Sequence, residues 1–369
     1  MKKNIYTLLA AIGAILIYPG CKKDNSSTPK QTQTAVSNDT VMYGLATYII
    51  LPTYQAAATN AQSLYSAIQQ FQTLPSTANL ALSKQWWLQA SASYQLAEAY
   101  NFGPFLNNGV AGSLNPFPNL DTTAIDTIVN GTSTLSGAYF SNAAFNVQGF
   151  HALEFLLWGG NSNKQVSAFT PRQYTYMLEM ANIIDSTMLS IYNAWDDSVA
   201  HQFVYAGRGS SSPWSTLGTA LADMVSEQKI ESETDETQKI GLPLEFWNNG
   251  PQLEEESPFA DNTLTDVRNN IIGIQNAYLG VFGSTQTNGI TAIVQQSNIA
   301  LDNKIKADFN NVFNALNAVT VKPFYIAVQA SSQQNLVKNL FNICDTLDKD
   351  YLNKLLPFIE KTVKKHYKK

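Results

Sequence analysis

His151 and Glu154 are the two residues whose types and spacing most directly suggest chemistry. They lie in Gly149–Gly160, which reads GFHALEFLLWGG and holds one of the three histidines in the chain. Residues three apart share one face of an α-helix, so the imidazole and the carboxylate would be neighbours. A helix that is apolar on every side is buried, and a buried His–Glu pair needs other polar groups or a metal ion to satisfy it. The stretch therefore predicts either a binding pair or a His–Glu hydrogen bond that fixes a helical bundle.

Metal binding is the first chemistry that such a pair supports. Helical di-iron proteins use a glutamate and a histidine three residues apart, and one imidazole with several carboxylates suits a fairly hard cation such as iron, manganese or magnesium. Two protein ligands are too few for a tight site. Glu98 is a further candidate because it shares a helix face with the aromatic side chains Trp87 and Tyr94. Asp261, at the end of an acidic segment, is another, so the predicted ligands are His151, Glu154, Glu98 and Asp261.

Hydrolytic chemistry finds less support in the same residues. The zinc-peptidase motif HExxH requires Glu and His where this chain has Ala152 and Phe155. A Ser–His–Asp triad can be assembled on paper from Ser257, His151 and Asp261. However, the GxSxG turn that presents a nucleophilic serine is missing.

The acidic run Glu254–Glu256 has two interpretations. Three consecutive glutamates usually form a solvated loop, but these lie next to Ser257 and Asp261. Arg268, on the helix expected to follow, either neutralises a carboxylate cluster or lies on the surface. Ser257, Arg268 and Gly149 are therefore supporting candidates for the site.

Helices must position these residues. Apolar positions recur at helical spacing from residue 38 almost to the end, and no sustained alternation typical of strands occurs. One helix is expected to open at Pro75-Ser76 and end near Tyr100, before a long Gly/Pro/Asn-rich loop over residues 103–122. Others are expected to start at Thr170-Pro171 and Ser212-Pro213, the latter helix ending near Ile230. We predict an all-α protein of two helical-bundle domains packed together, at 38–205 and 206–360, with a basic tail at 361–369.

The N-terminus predicts export. Lys2 and Lys3 precede an apolar stretch, Ile5–Ile17, of signal-peptide length, and Gly20-Cys21 follows. We expect a signal peptide at 1–20, lipidation of Cys21, and a polar tether at 21–37, which would anchor the protein to a membrane of the cell envelope, at the outer membrane or a periplasmic face. An ordinary secretory signal that happens to contain a cysteine is the alternative. The net charge of −5 and the lack of a basic stripe argue against nucleic acid as a partner.

Several spaced segments together resemble the imelysin family of exported bacterial proteins. Gly149–Gly159 matches the family's GxHxxE motif, and Leu96–Pro104, LAEAYNFGP, matches its glutamate-containing segment before a Gly-Pro loop. Glu254–Thr263, EEESPFADNT, and Asn276–Gly280, NAYLG, match two further segments. Ala260 stands where the family often has serine.

The resemblance implies two helical bundles whose motif residues face each other across the domain junction. It also implies a cell-envelope lipoprotein linked to iron uptake, possible iron-uptake components as partners, and a site of His151, Glu154, Glu98 and the segment with Ser257 and Asp261. We therefore expect a metal- or ligand-binding protein, with a divalent ion such as Fe or Zn as the cofactor. A metallopeptidase, the activity for which the family is named, stays open as an alternative, and so does a non-catalytic module that binds haem or a peptide.

Overall fold

Helices make up nearly all the regular structure of the protein. A computed structural model describes residues 36–103, 114–118, 120–208 and 212–363. The helices of the first half are α1 (Asn38–Gly44), α2 (Leu51–Thr73), α3 (Thr77–Glu98), α4 (Thr122–Asn130), α5 (Gly137–Phe140), α6 (Gly149–Trp158), α7 (Pro171–Ala194) and α8 (Ala200–Val204). Those of the second half are α9 (Leu217–Thr234), α10 (Gly241–Glu245), α11 (Thr263–Leu279), α12 (Thr291–Ser297), α13 (Ile299–Ala318), α14 (Phe324–Gln329), α15 (Gln334–Asp350) and α16 (Leu356–Val363). The predicted all-α class is confirmed.

A short hairpin and several wider helical turns complete the fold. Strands β1 (Val281–Phe282) and β2 (Thr285–Gln286) pair antiparallel directly after α11. π-helical segments join consecutive helices at Leu45–Ile50, Trp195–Val199, Asp235–Ile240 and Tyr351–Leu355. Such segments are rare and occur frequently at functional sites.

Helix starts follow local capping chemistry. Thr170 caps α7, and its side chain and that of Gln173 form a reciprocal capping box. The start expected at Ser212-Pro213 is wrong: α9 begins at Leu217, and the hydroxyl of Thr216 accepts a hydrogen bond from the backbone N–H of Thr219. Two Thr residues three apart thus provide the cap that the Ser-Pro pair was expected to provide.

The helix expected to end near Ile230 is longer than its hydrophobic pattern indicates. It continues to Thr234 and then through the π-helical segment Asp235–Ile240 into α10. Both Asp235 and Lys239 in this polar segment are buried. The charged residues that suggest a surface in the sequence are instead inside the protein, where they pair with one another.

Two helices from opposite halves of the chain pack closely, and this contact positions the site. A Cβ atom added to Gly273 on α11 would lie 2.4 Å from the carbonyl oxygen of Leu96 on α3, so only glycine allows this approach. The hydroxyl of Tyr100 donates to the carbonyl of Gly273 at 2.8 Å. Residues on both sides of the predicted boundary at 205 belong to one compact unit that begins at Val36. The division into two bundles at that boundary stays a prediction.

The predicted export signals lie outside the described residues. This holds for the signal peptide, Cys21, the tether up to residue 35, and the tail beyond Val363. Within the described ranges, no helix combines the length and apolar content needed to cross a membrane.

Candidate functional site

Helix α6 carries His151 and Glu154 in the interior, as the sequence predicts. It begins at Gly149, whose φ of 72° lies in the left-handed region that favours glycine. The indole N–H of Trp87 on α3 donates to the carbonyl of Phe150 at 2.9 Å, which ties α6 to α3. His151 is 2% exposed and Glu154 is fully buried.

The side chains of His151 and Glu154 face each other but form no hydrogen bond with each other. Nδ1 of His151 lies 3.5 Å from Oε2 of Glu154, an ion-pair distance. Neither ring nitrogen of His151, nor Oε2 of Glu154, forms a hydrogen bond to any described residue. Buried polar atoms nearly always have partners, so this set of atoms needs an explanation. The expected His–Glu hydrogen bond is thus replaced by a longer contact.

The other carboxylate oxygen of Glu154 is held by the second half of the chain. Backbone N–H groups of Phe259 and Ala260 donate to Oε1 at 2.8 and 2.7 Å. The turn that presents them ends at Asp261, which has a φ of 54°. Burial raises the pKa of Glu154 above its ordinary value, while His151 and the two N–H groups act in the opposite direction.

A buried lysine forms a second group of charges beside this pair. The ammonium nitrogen of Lys239 is surrounded by six oxygen atoms from six side chains. These are Asn270 Oδ1 at 2.9 Å, Glu256 Oε2 and Gln95 Oε1 at 3.2 Å, Glu231 Oε1 at 3.3 Å, Asp235 Oδ1 at 3.4 Å and Glu98 Oε2 at 3.7 Å. We call Lys239 and these six residues the lysine cluster. They come from α3, α9, the π-helical segment, the acidic run and α11.

Four carboxylates around one ammonium cannot all be ionised at low cost. The pKa values of three of them are therefore raised, and that of the fourth is lowered. Burial and the charge of Glu231 raise the pKa of Glu98 to about 7. Burial raises the pKa of Glu231, and that of Asp235 more strongly. Burial acts on Glu256 in the same direction, but Lys239, His151, Asn115 and Gln95 bring its pKa below the ordinary value. In the lysine cluster, the ionised carboxylate of Glu256 is therefore paired with Lys239, and other carboxyl groups keep their protons near neutral pH.

Asp266 connects the two groups. Its Oδ1 accepts hydrogen bonds from Asn262 at 2.7 Å and from Ser91 at 3.2 Å. Burial, and the nearby negative charges of Glu256 and Glu154, raise its pKa well above the ordinary value. The His–Glu pair and the lysine cluster are therefore parts of one buried polar region.

The described end of the long loop reaches this region. The amide of Asn115 donates to Glu256 Oε1 at 3.0 Å and to Glu98 Oε1 at 3.2 Å. The ring of Phe117 lies 6.1 Å from that of His151, measured between ring centroids. Asn115 and Phe117 thus cover the site from the side of the loop.

The remaining predicted site residues have other partners. Asp261 is half-buried, and burial raises its pKa, while the charge of Lys322 and the backbone N–H of Phe324 act in the opposite direction. Arg268 donates to Asn317 at 2.7 Å and packs over the ring of Phe313, so the cation within the carboxylate cluster is Lys239 instead. Ser257 is buried, and its backbone N–H donates to Thr263 at 3.2 Å.

The acidic run divides between surface and interior. Glu255 and Glu256 are 3% and 1% exposed, while Glu254 is partly exposed. Burial raises the pKa of Glu255 to about 8, and Thr263 donates to its Oε2 at 2.9 Å. The solvated-loop interpretation therefore fails for two of the three glutamates.

Sequence reasoning missed Lys239, Gln95 and Asn270. Gln95 donates to Glu256 at 2.9 Å, and Asn270 donates to Glu98 at 2.8 Å and to the carbonyl of Gln95 at 3.0 Å. One signal was available for Gln95, because it lies three residues before Glu98 on α3. No local pattern marks Lys239.

The donor types fit a metal ion, but the described residues offer an incomplete ligand set. An imidazole and a carboxylate oxygen without hydrogen-bond partners suit iron or zinc in chemistry. No three His, Cys, Asp or Glu side chains of the described ranges are grouped as ligands of one ion. Glu98 and Asp261 as ligands of the same ion as His151 stay a prediction, because each has other partners in this structure.

Comparisons with known proteins agree on one family. The family model described as imelysin matches residues 50–349. Iron-regulated protein A of Synechococcus elongatus (strain ATCC 33912 / PCC 7942 / FACHB-805) is 29% identical over 254 residues, which are 68% of this chain. The match spans 66% of that relative's length, slightly less than two thirds.

Two solved structures share the fold. One, from Parabacteroides distasonis ATCC 8503, is named as a candidate iron-regulated protein A precursor; it has a TM-score of 0.77 and 21% identity, covering 90% of this chain and 97% of that one. The other is an imelysin-like protein from Psychrobacter arcticum 273-4, with a TM-score of 0.68 and 15% identity, covering 88% and 96%. At these identities the similarity supports the fold alone.

Proposed function

This chain belongs to the imelysin family, and from that premise we propose that it is an iron-related binding protein of the cell envelope. Its binding site is the buried region around His151 and Glu154. The name of the relative from Synechococcus elongatus supports the iron-related role. The pattern around Cys21 supports lipid anchoring, with the membrane and possible iron-uptake components as partners.

One observation carries the proposal. Two nitrogen atoms of His151 and Oε2 of Glu154 are buried together without hydrogen bonds to any described residue. In a purely structural pair the ring nitrogens would be expected to have hydrogen-bond partners, as the ammonium nitrogen of Lys239 does. Leaving such atoms unpaired costs about 1–3 kcal/mol each, and a bound ligand recovers that free energy.

Each residue of the site has its own role in the proposed binding. His151 and Glu154 Oε2 would hold a divalent ion or a polar group, and the ion would act as the binding centre for a ligand. The N–H groups of Phe259 and Ala260 fix Glu154 in orientation. Further ligands to an ion would come from water or from the molecule that carries it, since two protein donors leave positions open.

The test is a titration of the protein with Fe(II) and Zn(II), followed by equilibrium dialysis. We expect binding that His151→Leu and Glu154→Gln each weaken at least tenfold, a typical loss for groups at a metal site. His201→Leu is the matched control, because His201 is exposed and packs on Tyr205. Metal binding that is absent, or unaffected by both site variants, contradicts the proposal.

The same protein separates the two alternatives. A change in the haem absorption spectrum, lost in His151→Leu, would indicate a haem-type ligand instead of a free ion. Chelator-sensitive cleavage of a peptide, lost in Glu154→Gln, would indicate the peptidase. The incomplete ligand set among the described residues, and Ala152 and Phe155 in place of the HExxH residues, give the peptidase no specific support.

His151→Leu also distinguishes a binding role from a structural one. Since the ring forms no hydrogen bond to a described residue, its replacement by an apolar side chain of similar size should change the free energy of unfolding by no more than about 1 kcal/mol. Urea denaturation measures this. A loss several times larger would mean that His151 holds the fold together.

A further inference from the structure

A cleft of about 550 Å³ lies between the start of α13 and helix α16. Its residues come after the acidic run in the sequence, at 298–304 and 354–361. Its apolar lining includes Leu301, Pro357 and Phe358. Ile299, next to the cleft in sequence, is 58% exposed, although it is a large aliphatic residue.

Three lysines line the same cleft: Lys304, Lys354 and Lys361. Lys304 pairs with Asp350 at 2.7 Å, and Lys354 pairs with the same carboxylate. The side chain of Asp350 is only 6% exposed, whereas those of Lys304 and Lys354 are 42% and 50% exposed. The acidic partner thus lies beneath the ammonium groups, and the outward side of the cleft is positive.

Lys361 adds a charge with no ion pair among the residues that the structure describes. Lys361 is exposed and contributes a full positive charge at the surface. Lys304 also pairs with Asp308, whose side chain is 3% exposed and lies beneath the cleft. An anion that approaches the cleft therefore meets lysines first and carboxylates only behind them.

The charge of the cleft differs in sign from that of the whole protein. Its lining includes three lysines and no acidic side chain, whereas the chain as a whole has a net charge of −5. Positive charge together with exposed apolar side chains is the composition of segments that bind an anionic lipid surface. Either feature alone is common, but the two coincide in one cleft here.

We propose that this cleft docks on a bilayer that contains anionic phospholipid. Lys304, Lys354 and Lys361 contact headgroup phosphates, and Ile299, Pro357 and Phe358 lie against the interface between headgroups and acyl chains. Surface lysines near an anionic leaflet contribute about one kcal/mol each, which corresponds to roughly fivefold in affinity. This binding does not depend on the proposed function, because it uses no residue of the His151 region.

The test uses residues 36–369, the compact unit that begins at Val36, so that neither the apolar N-terminal stretch nor an attached lipid contributes. Binding to vesicles of phosphatidylcholine with about 30% phosphatidylglycerol is measured by co-sedimentation. We expect Lys354→Gln with Lys361→Gln to weaken binding roughly 30-fold, and high salt to weaken it further. The matched control is Lys338→Gln with Lys349→Gln, which removes equal charge from exposed positions outside the cleft and should change binding less than about twofold.

Three outcomes would overturn the proposal. The first is equal binding to anionic and neutral vesicles, and the second is equal loss in the cleft and control variants. The third is complete loss on removal of residues 364–369 with no effect of the cleft variants, which would assign binding to the tail alone. Ile299→Ser provides an independent measurement that leaves the charge unchanged: it should weaken binding severalfold, and an unchanged affinity would remove the apolar part of the proposal.

Discussion

The lysine cluster and the His151–Glu154 pair are two solutions to the same problem, the burial of charged side chains. Lys239 is 2% exposed, yet its ammonium has six oxygen neighbours, and the carboxylates around it share protons. His151 is equally buried, yet its ring nitrogens have no hydrogen-bond partner among the described residues. In the first region the buried cation is matched by opposite charge and by amide oxygens, although Asp235 and Glu256 Oε2 reach Lys239 through ion-pair contacts and not hydrogen bonds. In the second, both ring nitrogens of a buried imidazole lack hydrogen bonds to the described residues, and this difference is why we assign binding to it.

The largest effect should come from removal of the cluster's cation. Lys239→Met leaves the buried Glu256 carboxylate without its counter-charge, and breaking a buried ion pair in this way costs about 3–5 kcal/mol of unfolding free energy. Urea denaturation measures the loss, and Lys338→Met, at an exposed position, is the control. A loss below about 1 kcal/mol would mean that the carboxylates simply take up protons, and the contrast between the regions would disappear.

A smaller effect is expected at Glu154, where two substitutions separate structure from binding. Glu154→Leu leaves the N–H groups of Phe259 and Ala260 without their acceptor and should cost roughly 2 kcal/mol or more. Glu154→Gln keeps an oxygen acceptor and should cost about 1 kcal/mol or less, while ligand binding is lost in both. The measurement is unfolding free energy alongside metal dialysis. Equal destabilisation by the two variants would show that the charge of Glu154 matters to the fold.

The smallest effect, taken per pH unit, is a pH dependence of stability that belongs to the cluster. Glu98 has a pKa of about 7 in the folded protein against an ordinary 4.5, so between these values the folded state retains a proton that the unfolded state has released. The contribution of Glu98 to the free energy of unfolding is therefore fully present below pH 4.5 and is lost as the pH rises to about 7. The loss is up to about 1.4 kcal/mol per pH unit. Glu98→Gln should flatten this slope, and Glu245→Gln, at an exposed position, should leave it unchanged. A slope that is the same in Glu98→Gln and the wild type would contradict the assignment.

The parts of the site with a local signature were predictable from the sequence. His151 and Glu154 stand out because they interrupt an apolar helix, and Glu98 because it lies on an aromatic face. The cap at Thr170 was predicted for the same reason, since all its atoms come from neighbouring residues. Burial of an unusual residue type can thus be inferred from periodicity alone.

The partners of those residues were not predictable, because they come from distant parts of the chain. Gln95 and Glu256 are 161 positions apart, and Asn270 and Glu98 are 172 apart. Lys239 lies in a segment whose polar residues give it the pattern of a surface. Its burial depends on the packing of α3 and α11, because Gln95 and Asn270 on these two helices contact its ammonium group.

The surroundings of Lys239 have one more consequence. Six oxygen atoms from carboxylates and amides form the coordination shell that proteins usually build for a hard metal cation. Here the positive charge at the centre is covalently part of the polypeptide. A chelator cannot remove it, and its occupancy does not vary with the supply of ions outside. The contacts that Lys239 forms between the two halves of the chain therefore do not depend on the supply of metal.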